Sequence, residues 1–437
     1  MTQCLVNPLC LFLIVWGTAT ILYLGGVLAG TFPFPRLLTI EAFLLNLGTF
    51  SLGYLTWSLF RSLSPQPLGD AVSAPAANAA PGGTACPPLT RKRLVRALQF
   101  ALLMGAGVLL MESYRISTMA SYFNTSWSYL VTHPTALRLR LVIFISASVF
   151  QTSSTVILLS LTNSIFSIGF ALLGVFLYLD RTRWKYLYLS AFLFISLVIG
   201  LLHLSRYEVT ANILYLVLAY CFMNVQGSSK FEVPSVKSSD FTLHTSHFKL
   251  VAPLAVIALL FLLIDVLLHK SSEYAQANRL QGFAYHLYWY VASPLAAFNE
   301  FLNTFHGACE LGQNTFFPIY KWLCRFHLVS QAEVSVYGDK VLIPYVANVY
   351  TYLRNFYADF GILGVATVPY LLGWAMAVVR QRAYRCFHFL NLYLVLLMFI
   401  LFSSYNFFLF STQNYLQVLF GFLFFRYELP DSHEACV

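Results

Sequence analysis

Charged residues are scarce in this sequence. Asp, Glu, Lys and Arg make up 10% of its 437 residues, against about 25% in an average protein. Hydrophobic residues make up 59%, and several apolar runs reach the roughly 17–25 residues that a helix needs to cross a bilayer. The runs are continuous instead of alternating, which excludes a membrane β-barrel. The sequence therefore predicts an all-α polytopic membrane protein with about ten to twelve transmembrane helices.

Several motifs of catalysis and metal binding are missing as well. The sequence has no Walker A motif, which argues against an ATP-driven pump, and no Gly-x-Ser-x-Gly or His-Glu-x-x-His motif. It has no Asp-x-Asp or Asp-x-Glu pair, the carboxylates with which an enzyme holds a divalent ion beside a nucleotide sugar. The eight cysteines are scattered, without a Cys-x-x-Cys pair or a His-rich cluster. We therefore expect no metal site, no cofactor and a metal-independent chemistry.

The few charges that are present give a net charge of +9. The excess fits the basic cytoplasmic loops of membrane proteins, or an attraction to anionic lipid or to a phosphate-bearing substrate. No basic helix stands apart from the apolar runs, so nucleic acid is not expected as a partner. The first apolar run lacks a basic leader and a small-residue cleavage site, which predicts a retained span.

The apolar runs alternate with polar loops along the chain. The predicted spans are Leu9–Gly30, Leu37–Phe60, one beginning with Ala97–Met111, two within Leu141–Leu179 (about 141–160 and 163–179), Tyr186–His203, Val209–Val225, Leu250–Leu268, Phe360–Val379, Asn391–Phe402 and Tyr415–Phe425. Loops 61–96 and 180–185 are basic, which predicts that both are cytoplasmic. Three predicted crossings separate them, so one segment of 141–179 would be re-entrant or interfacial, or the charge rule is misleading there.

Two loops stand out by length. Residues 61–96 contain an Ala/Pro/Gly-rich run and end in Arg91-Lys92-Arg93, which predicts a disordered basic linker. His269 to Asp359 would form a large, aromatic-rich outer loop, and loops of this length are usually functional. Ser293-Pro294 predicts the start of a helix in it, and Pro318–His327 has helical periodicity. Cys309 and Cys324 lie in this loop and would pair if it faces an oxidising compartment.

Arginines recur at the predicted outer loop edges, and their planar guanidinium groups match phosphate oxygens. They are Arg115, Arg138, Arg140, Arg206, Arg279, Arg325 and Arg354. Arg206, next to Ser205, would clamp a phosphate, or it would only snorkel at the interface or pair with Glu208.

The segment 346–364 concentrates polar residues directly before a predicted span. Asn348 would cap a helix beginning at Val349, and Tyr350 and Arg354 would then share one face at i and i+4. Thr351 would lie beside them, and Asp359 further along. In the alternative interpretation the segment is only structural, with an Arg354–Asp359 ion pair that fixes the loop.

A general base for a hydroxyl substrate needs a carboxylate or an imidazole within hydrogen-bond reach. The candidates on the predicted outer face are Asp359, Glu300, Glu112, His286 and His306. The nearby aromatics between Tyr285 and Tyr290 would stack on sugar rings, or form the aromatic belt of a membrane interface.

The run Asn348-Val-Tyr-Thr-Tyr-Leu-Arg-Asn-Phe-Tyr-Ala-Asp-Phe-Gly361 resembles the Wzy-type O-antigen polymerases. That family often shows Asn-x-Tyr-Thr and then Tyr-x-Asp-x-Gly before a late span. Leu204-Ser-Arg206 resembles its Ser-Arg pair, and Pro294-Leu-Ala-Ala-Phe-Asn299 resembles the opening of its large periplasmic loop. The hydropathy pattern is similar over the whole chain, except for the 61–96 linker.

This resemblance implies a GT-C-like glycosyltransferase of the bacterial inner membrane that polymerises oligosaccharide repeat units linked to undecaprenyl pyrophosphate. Arg354 and Arg206 would neutralise the departing pyrophosphate, and Asp359 or a loop His or Glu would deprotonate the acceptor. The expected substrate-binding residues are Asn348, Tyr350, Thr351, Ser205, Arg115, His286 and Glu300. A chain-length regulator and a flippase of the same pathway, besides membrane lipid, are the expected partners. The alternatives are an O-antigen ligase-like transferase and a lipid-linked glycan flippase.

Overall fold

The computed structural model describes residues 2–63, 86–133, 137, 140, 154–180, 182–203, 206–229, 279–305, 307, 312–325, 328–329, 341–343, 345–347, 350–404 and 411–430. Most of the predicted linker, the first part of the predicted segment 141–160 and the predicted span Leu250–Leu268 lie outside the described residues. The predicted Cys309–Cys324 pair is untested for the same reason, because Cys309 is not described.

The described chain is almost entirely helical. Its helices are α1 (Thr2–Leu5), α2 (Pro8–Leu28), α3 (Leu37–Leu63), α4 (Arg91–Tyr122), α5 (Trp127–Thr132), α6 (Ser154–Leu179), α7 (Trp184–His203), α8 (Arg206–Ser229), α9 (Arg279–Thr304), α10 (Phe317–Arg325), α11 (Leu353–Ala383), α12 (Phe387–Ser403) and α13 (Thr412–Phe424). A short antiparallel hairpin, β1 (Val341–Ile343) and β2 (Tyr345–Ala347), lies between α10 and α11.

The all-α polytopic class is confirmed. Seven helices in the described part of the chain are long and apolar enough to cross a membrane, namely α2, α3, α4, α6, α7, α8 and α11. The 17 apolar residues of α12 form a shorter helix of the same character. The positions of these helices agree with the predicted spans to within a few residues, except where noted below.

The predicted break between residues 160 and 163 is wrong, because α6 runs without interruption from Ser154 to Leu179. The polar residues that suggested the break are accommodated inside the helix. The Ser164 hydroxyl donates to the Ser160 carbonyl at 2.6 Å, and the Asn163 amide donates to Gln413 on α13 at 3.1 Å. Polar side chains inside a membrane bundle are stable when they face a partner helix in this way.

The ends of the two basic loops meet at one end of the bundle. The Arg91 guanidinium contacts the Asp180 carboxylate there, at 3.4 Å. The end of α8 joins this group, because Gln226 donates to the Tyr384 carbonyl at 2.9 Å. We call this the basic end.

Three predicted boundaries are wrong because helices continue through residues that suggested loops. Helix α4 begins at Arg91, capped by Thr90, and continues to Tyr122, so the linker ends earlier and the following loop starts later than expected. Helix α9 begins at Arg279, with Pro294 in its interior. Its buried face, which includes Ala292 and Leu295, continues across the proline, so packing outweighs the lost backbone hydrogen bond.

The closest helix pair, α3 and α11, positions the segment that carries the candidate site. A methyl group at Gly53 would lie 2.0 Å from the Tyr370 carbonyl oxygen, and one at Gly373 would lie 2.3 Å from the Phe50 carbonyl oxygen. Glycine at both positions therefore lets the two backbones meet directly. Near the basic end, Arg380 donates to the Tyr54 hydroxyl at 2.7 Å. The start of α11 consequently lies at the opposite end of the bundle.

Candidate functional site

The start of α11 is fixed to the core by Tyr352. Helix α11 begins at Leu353, later than the predicted start at Val349, and Asn348 lies outside the described residues. The Tyr352 ring is fully buried against Trp16 and Phe399, and its hydroxyl donates to Asn46 on α3. Its backbone N–H donates to the Ser403 carbonyl at 3.0 Å. The residues on either side of Tyr352 therefore have a defined position.

Arg354 projects from the first turn of α11 between two aromatic rings. Its guanidinium carbon lies 4.8 Å from the centre of the Tyr350 ring and 5.1 Å from that of Phe301 on α9. The expected contact between Tyr350 and Arg354 is present, although Tyr350 precedes the helix instead of lying on it. Tyr357 and Phe305 extend the cluster, with ring centres 6.2 Å apart. We refer to Phe301, Phe305, Tyr350, Arg354 and Tyr357 as the arginine cage.

Asp359 does not form the ion pair with Arg354 that the alternative interpretation predicted. Its fully buried carboxylate accepts hydrogen bonds from the backbone N–H and the side-chain amide of Asn314, both at 3.0 Å, and from the Thr315 N–H at 2.5 Å. Asn355 donates to the Asn314 carbonyl at 3.5 Å. The prediction of an Arg354–Asp359 pair is therefore wrong, since Asp359 binds the turn before α10 instead.

A kink separates this polar turn of α11 from its membrane-spanning part. Gly361 has φ 63° and ψ −152°, a backbone conformation that is almost confined to glycine and costs about 1–3 kcal/mol for residues with a side chain. Residues 353–360 thus form a short helix, and the longer apolar helix follows the glycine. The sequence-based placement of the segment directly before a span, with a glycine at the junction, agrees with this geometry.

Thr351 and Glu300 lie next to the arginine cage. Thr351 is buried, and its hydroxyl makes no hydrogen bond within the part of the chain that the structure describes. Glu300 precedes the cage residue Phe301 on α9; it is half-buried, and its carboxylate accepts a hydrogen bond from Asn303 at 3.2 Å. Each of these two predicted site residues is thus the sequence neighbour of a member of the arginine cage.

Arg115 differs in position from the prediction. It was expected in an outer loop, but it lies within α4, where it is buried and its guanidinium contacts the buried Glu112 carboxylate at 2.6 Å. The charge of Arg115 is thus balanced by a residue one turn before it. This pair explains why α4 can continue past Met111, because an unpaired charge at that depth would be costly.

A second polar region, which the sequence did not indicate, joins α6, α8 and the start of α13. The Gln413 amide donates to the Ser167 hydroxyl at 3.1 Å, Ser167 donates to Asn212 at 3.0 Å, and Asn212 donates to Ser196 on α7 at 3.2 Å. A small cavity of about 20 Å³ lies beside this network, with Glu208 in its lining. We refer to it as the polar cavity.

The remaining predicted site residues can be placed only by their backbone or not at all. Arg206 is the first residue of α8 and His286 lies within α9, but neither side chain is described, and Ser205 lies outside the described residues. Because Glu208 lines the polar cavity, the start of α8 adjoins it. The proposed phosphate contact of Arg206 stays a prediction.

The structure also brings together three residues that sequence reasoning did not connect. Cys86, Cys386 and His388 have their sulfur and nitrogen ligand atoms within 4.8 Å of one another. They are up to 302 positions apart in the chain, so no local motif could reveal them.

Comparison with known protein families, with curated proteins and with solved structures finds no match.

Proposed function

We propose that this protein polymerises oligosaccharide repeat units that are linked to undecaprenyl pyrophosphate, as a GT-C-like glycosyltransferase of the bacterial inner membrane. The growing chain is transferred to a hydroxyl of the incoming unit, and undecaprenyl pyrophosphate leaves. The observation that carries the proposal is the position of Arg354, which lies in an aromatic cage at the end of the bundle opposite its basic end.

The chemistry of the cage suits a pyrophosphate leaving group. A guanidinium between aromatic rings keeps its charge and its planar donor geometry, so it can bind two phosphate oxygens at once. Negative charge develops on the pyrophosphate as the glycosidic bond to it breaks. A cation already held in place stabilises that charge without a reorganisation cost. Arg206, at the start of α8, is the second candidate for this role.

The aromatic members of the cage suit the glycan. The rings of Phe305 and Tyr357 are half-buried, so part of their surface is accessible next to Arg354. Aromatic rings of this kind stack on the apolar faces of sugars. Asn348 and His286 are further candidates for glycan contacts, and this assignment rests on their positions in the sequence.

Asp359 is assigned a positioning role within this proposal. Both of its oxygens already accept hydrogen bonds from Asn314 and Thr315, so it is poorly placed to take a proton from an acceptor hydroxyl. Glu300 is half-buried beside the cage and has a single hydrogen bond from Asn303 on its carboxylate. We therefore propose Glu300 as the group that orients or deprotonates the acceptor.

A transporter of lipid-linked glycans is the second candidate, and the position of the polar network around Ser167 favours it. Ser167 lies close to the middle of α6, and transporters bind their substrates near the middle of the bilayer. An O-antigen ligase-like enzyme would use the same donor with a different acceptor. A chain-length regulator and a flippase would be the partners of the polymerase.

Deletion of the gene in its host distinguishes these functions. Surface polysaccharide that is reduced to single repeat units supports the polymerase. Long chains that remain on the lipid carrier would indicate the ligase, and loss of all exported units would indicate the flippase. Complementation with the wild-type gene is the control for polar effects on neighbouring genes.

A further inference from the structure

The three residues Cys86, Cys386 and His388 form a compact cluster at the basic end of the bundle. Their ligand atoms, two thiol sulfurs and one imidazole nitrogen, all lie within 4.8 Å of one another. His388 is buried, whereas both cysteines are only half-buried. Ligands of a tetrahedral Zn²⁺ site have metal–sulfur distances of about 2.3 Å and metal–nitrogen distances of about 2.0–2.1 Å. The three atoms could therefore reach one ion with small side-chain movements.

The backbone around the cluster is fixed from three directions. Cys86 precedes α4, Cys386 is the N-cap residue of α12, and His388 follows in the first turn. The segment after α13 joins both: the Glu428 N–H donates to the Pro87 carbonyl at 3.0 Å, and the Phe387 N–H donates to the Tyr427 carbonyl at 2.8 Å. Two distant parts of the chain thus present the ligands, and a third part joins them by backbone hydrogen bonds.

The imidazole provides a second, independent indication of a ligand. The Nδ1 atom of His388 is buried and makes no hydrogen bond within the part of the chain that the structure describes. Leaving a buried polar nitrogen unsatisfied costs about 1–3 kcal/mol. A metal ion at the cluster accounts for this unsatisfied nitrogen in one of two ways. The ion binds Nδ1 directly, or it binds the other ring nitrogen and Nδ1 donates a hydrogen bond to a water or a second ligand.

The location favours a metal over a disulfide. The positive-inside rule places the basic end in the cytoplasm, where thiols are kept reduced, and neither Cys86 nor Cys386 is in a disulfide in the structure. Two thiolates and an imidazole are soft ligands that select Zn²⁺ over Mg²⁺ or Ca²⁺.

We propose that Cys86, Cys386 and His388 bind one Zn²⁺ ion, which ties the start of α4 to the start of α12. The fourth position is left for water or for Glu428, whose side chain is exposed and whose backbone pairs with Cys386. Binding displaces the proton of each thiol and needs no change of oxidation state. The site is far from the arginine cage, so its role is structural and independent of the proposed enzymatic function.

The metal content of the full-length protein tests the proposal. The protein is purified in detergent under reducing conditions, without a histidine tag, and its zinc is measured by mass spectrometry. We expect about one zinc per chain, and a loss to background in Cys386→Ser and in His388→Gln. Cys4 and Cys10 provide the matched control, because their thiols also interact with each other but have no histidine beside them. The Cys4→Ser/Cys10→Ser double variant should keep its zinc.

A second measurement covers the case in which the cluster variants fail to fold. The wild-type protein is stripped with a chelator and reloaded with Co²⁺, which should produce sulfur-to-cobalt charge-transfer absorption and protect two thiols from maleimide. Wild-type protein that contains no more zinc than the cluster variants, or that shows no cobalt–sulfur absorption, would overturn the proposal. A Cys86–Cys386 disulfide in freshly prepared protein, revealed by reductant-dependent labelling, would overturn it as well.

Discussion

Removal of the Asp359 carboxylate tests whether this residue positions the chain or takes part in proton transfer. Asp359→Ala leaves the backbone N–H groups of Asn314 and Thr315 buried without their acceptor. Each such unsatisfied donor costs about 1–3 kcal/mol, and the Asn314 side chain can rotate to a new partner. We therefore expect a destabilisation of about 2–6 kcal/mol.

The conservative variant Asp359→Asn should be affected less. The side-chain carbonyl oxygen of the introduced asparagine can accept one of the two backbone hydrogen bonds. Its NH₂ group cannot accept the other one, because it is itself a donor. We expect roughly half of the loss seen in the alanine variant, about 1–3 kcal/mol. Asn303→Ala is the matched control, because the half-buried side chain of Asn303 donates one hydrogen bond, to Glu300, among the described residues. The free energy of unfolding of this variant should change by less than about 1 kcal/mol.

Thermal unfolding of the purified variants in one detergent, at one scan rate, measures these differences. Limited proteolysis provides a local readout, since the turn 312–316 should become accessible in Asp359→Ala. A variant that unfolds like the wild type, resists protease like the wild type and yet has no activity at any pH would refute the positioning role. Asp359 would then be the general base.

Three further predictions follow from single contacts. Burial raises the pKa of the Asp180 carboxyl, but hydrogen bonds from Thr182 and the charge of Arg91 outweigh burial and hold this pKa below its ordinary value. The contribution of Asp180 to stability is therefore present near neutral pH and is lost as the pH falls through the lowered pKa. Unfolding of the wild type and of Asp180→Asn, measured as a function of pH, should show the wild type more stable by less than about 1 kcal/mol near neutral pH, and this difference should disappear in acid. Gly361→Ala should destabilise the protein by about 1–3 kcal/mol in thermal unfolding, because the φ and ψ of Gly361 are almost confined to glycine. An unchanged melting temperature would contradict the kink. Gly53→Ala should disrupt the α3–α11 contact and lower the yield of folded protein. Gly48→Ala should leave the yield unchanged, because a methyl group at Gly48 would have no atom within 4 Å. Equal yields of the two variants would contradict the close packing of α3 and α11.

The sequence predicted most spans because an apolar run of sufficient length has few alternatives to a membrane helix. It failed at Asn163 and Ser164, where polar residues suggested a break. Their side chains meet Gln413 from α13, a partner that is 249 positions or more away. Whether a polar residue interrupts a helix or joins two helices depends on such distant contacts, which one sequence does not show.

The candidate site was predictable in part for the same reason. The sequence predicted that Tyr350 and Arg354 lie close together, and their contact is present although Tyr350 precedes the helix. The partner of Asp359 was not predictable, because Asn314 lies 45 positions away and the only nearby cation in the sequence was Arg354. The Cys86, Cys386 and His388 cluster depends on the path of the whole chain, so scattered cysteines gave no indication of it.

Glycosyl transfer by purified protein tests the role of Arg354 most directly. The protein is incubated with lipid-linked repeat units from its host, and the chain length of the products is measured. Arg382→Ala is the matched control, because Arg382 lies on the same helix and stacks on Phe389 at 5.4 Å, but belongs to the basic end.

We expect Arg354→Ala to reduce the rate of chain extension by about 10²–10³-fold, the usual effect of removing one preorganised charge-stabilising donor. Arg354→Lys should recover part of the rate, because it keeps the charge and loses the bidentate geometry. Arg382→Ala should extend chains at close to the wild-type rate. Chain extension by a folded Arg354→Ala protein at the wild-type rate would contradict the proposed function of the arginine cage.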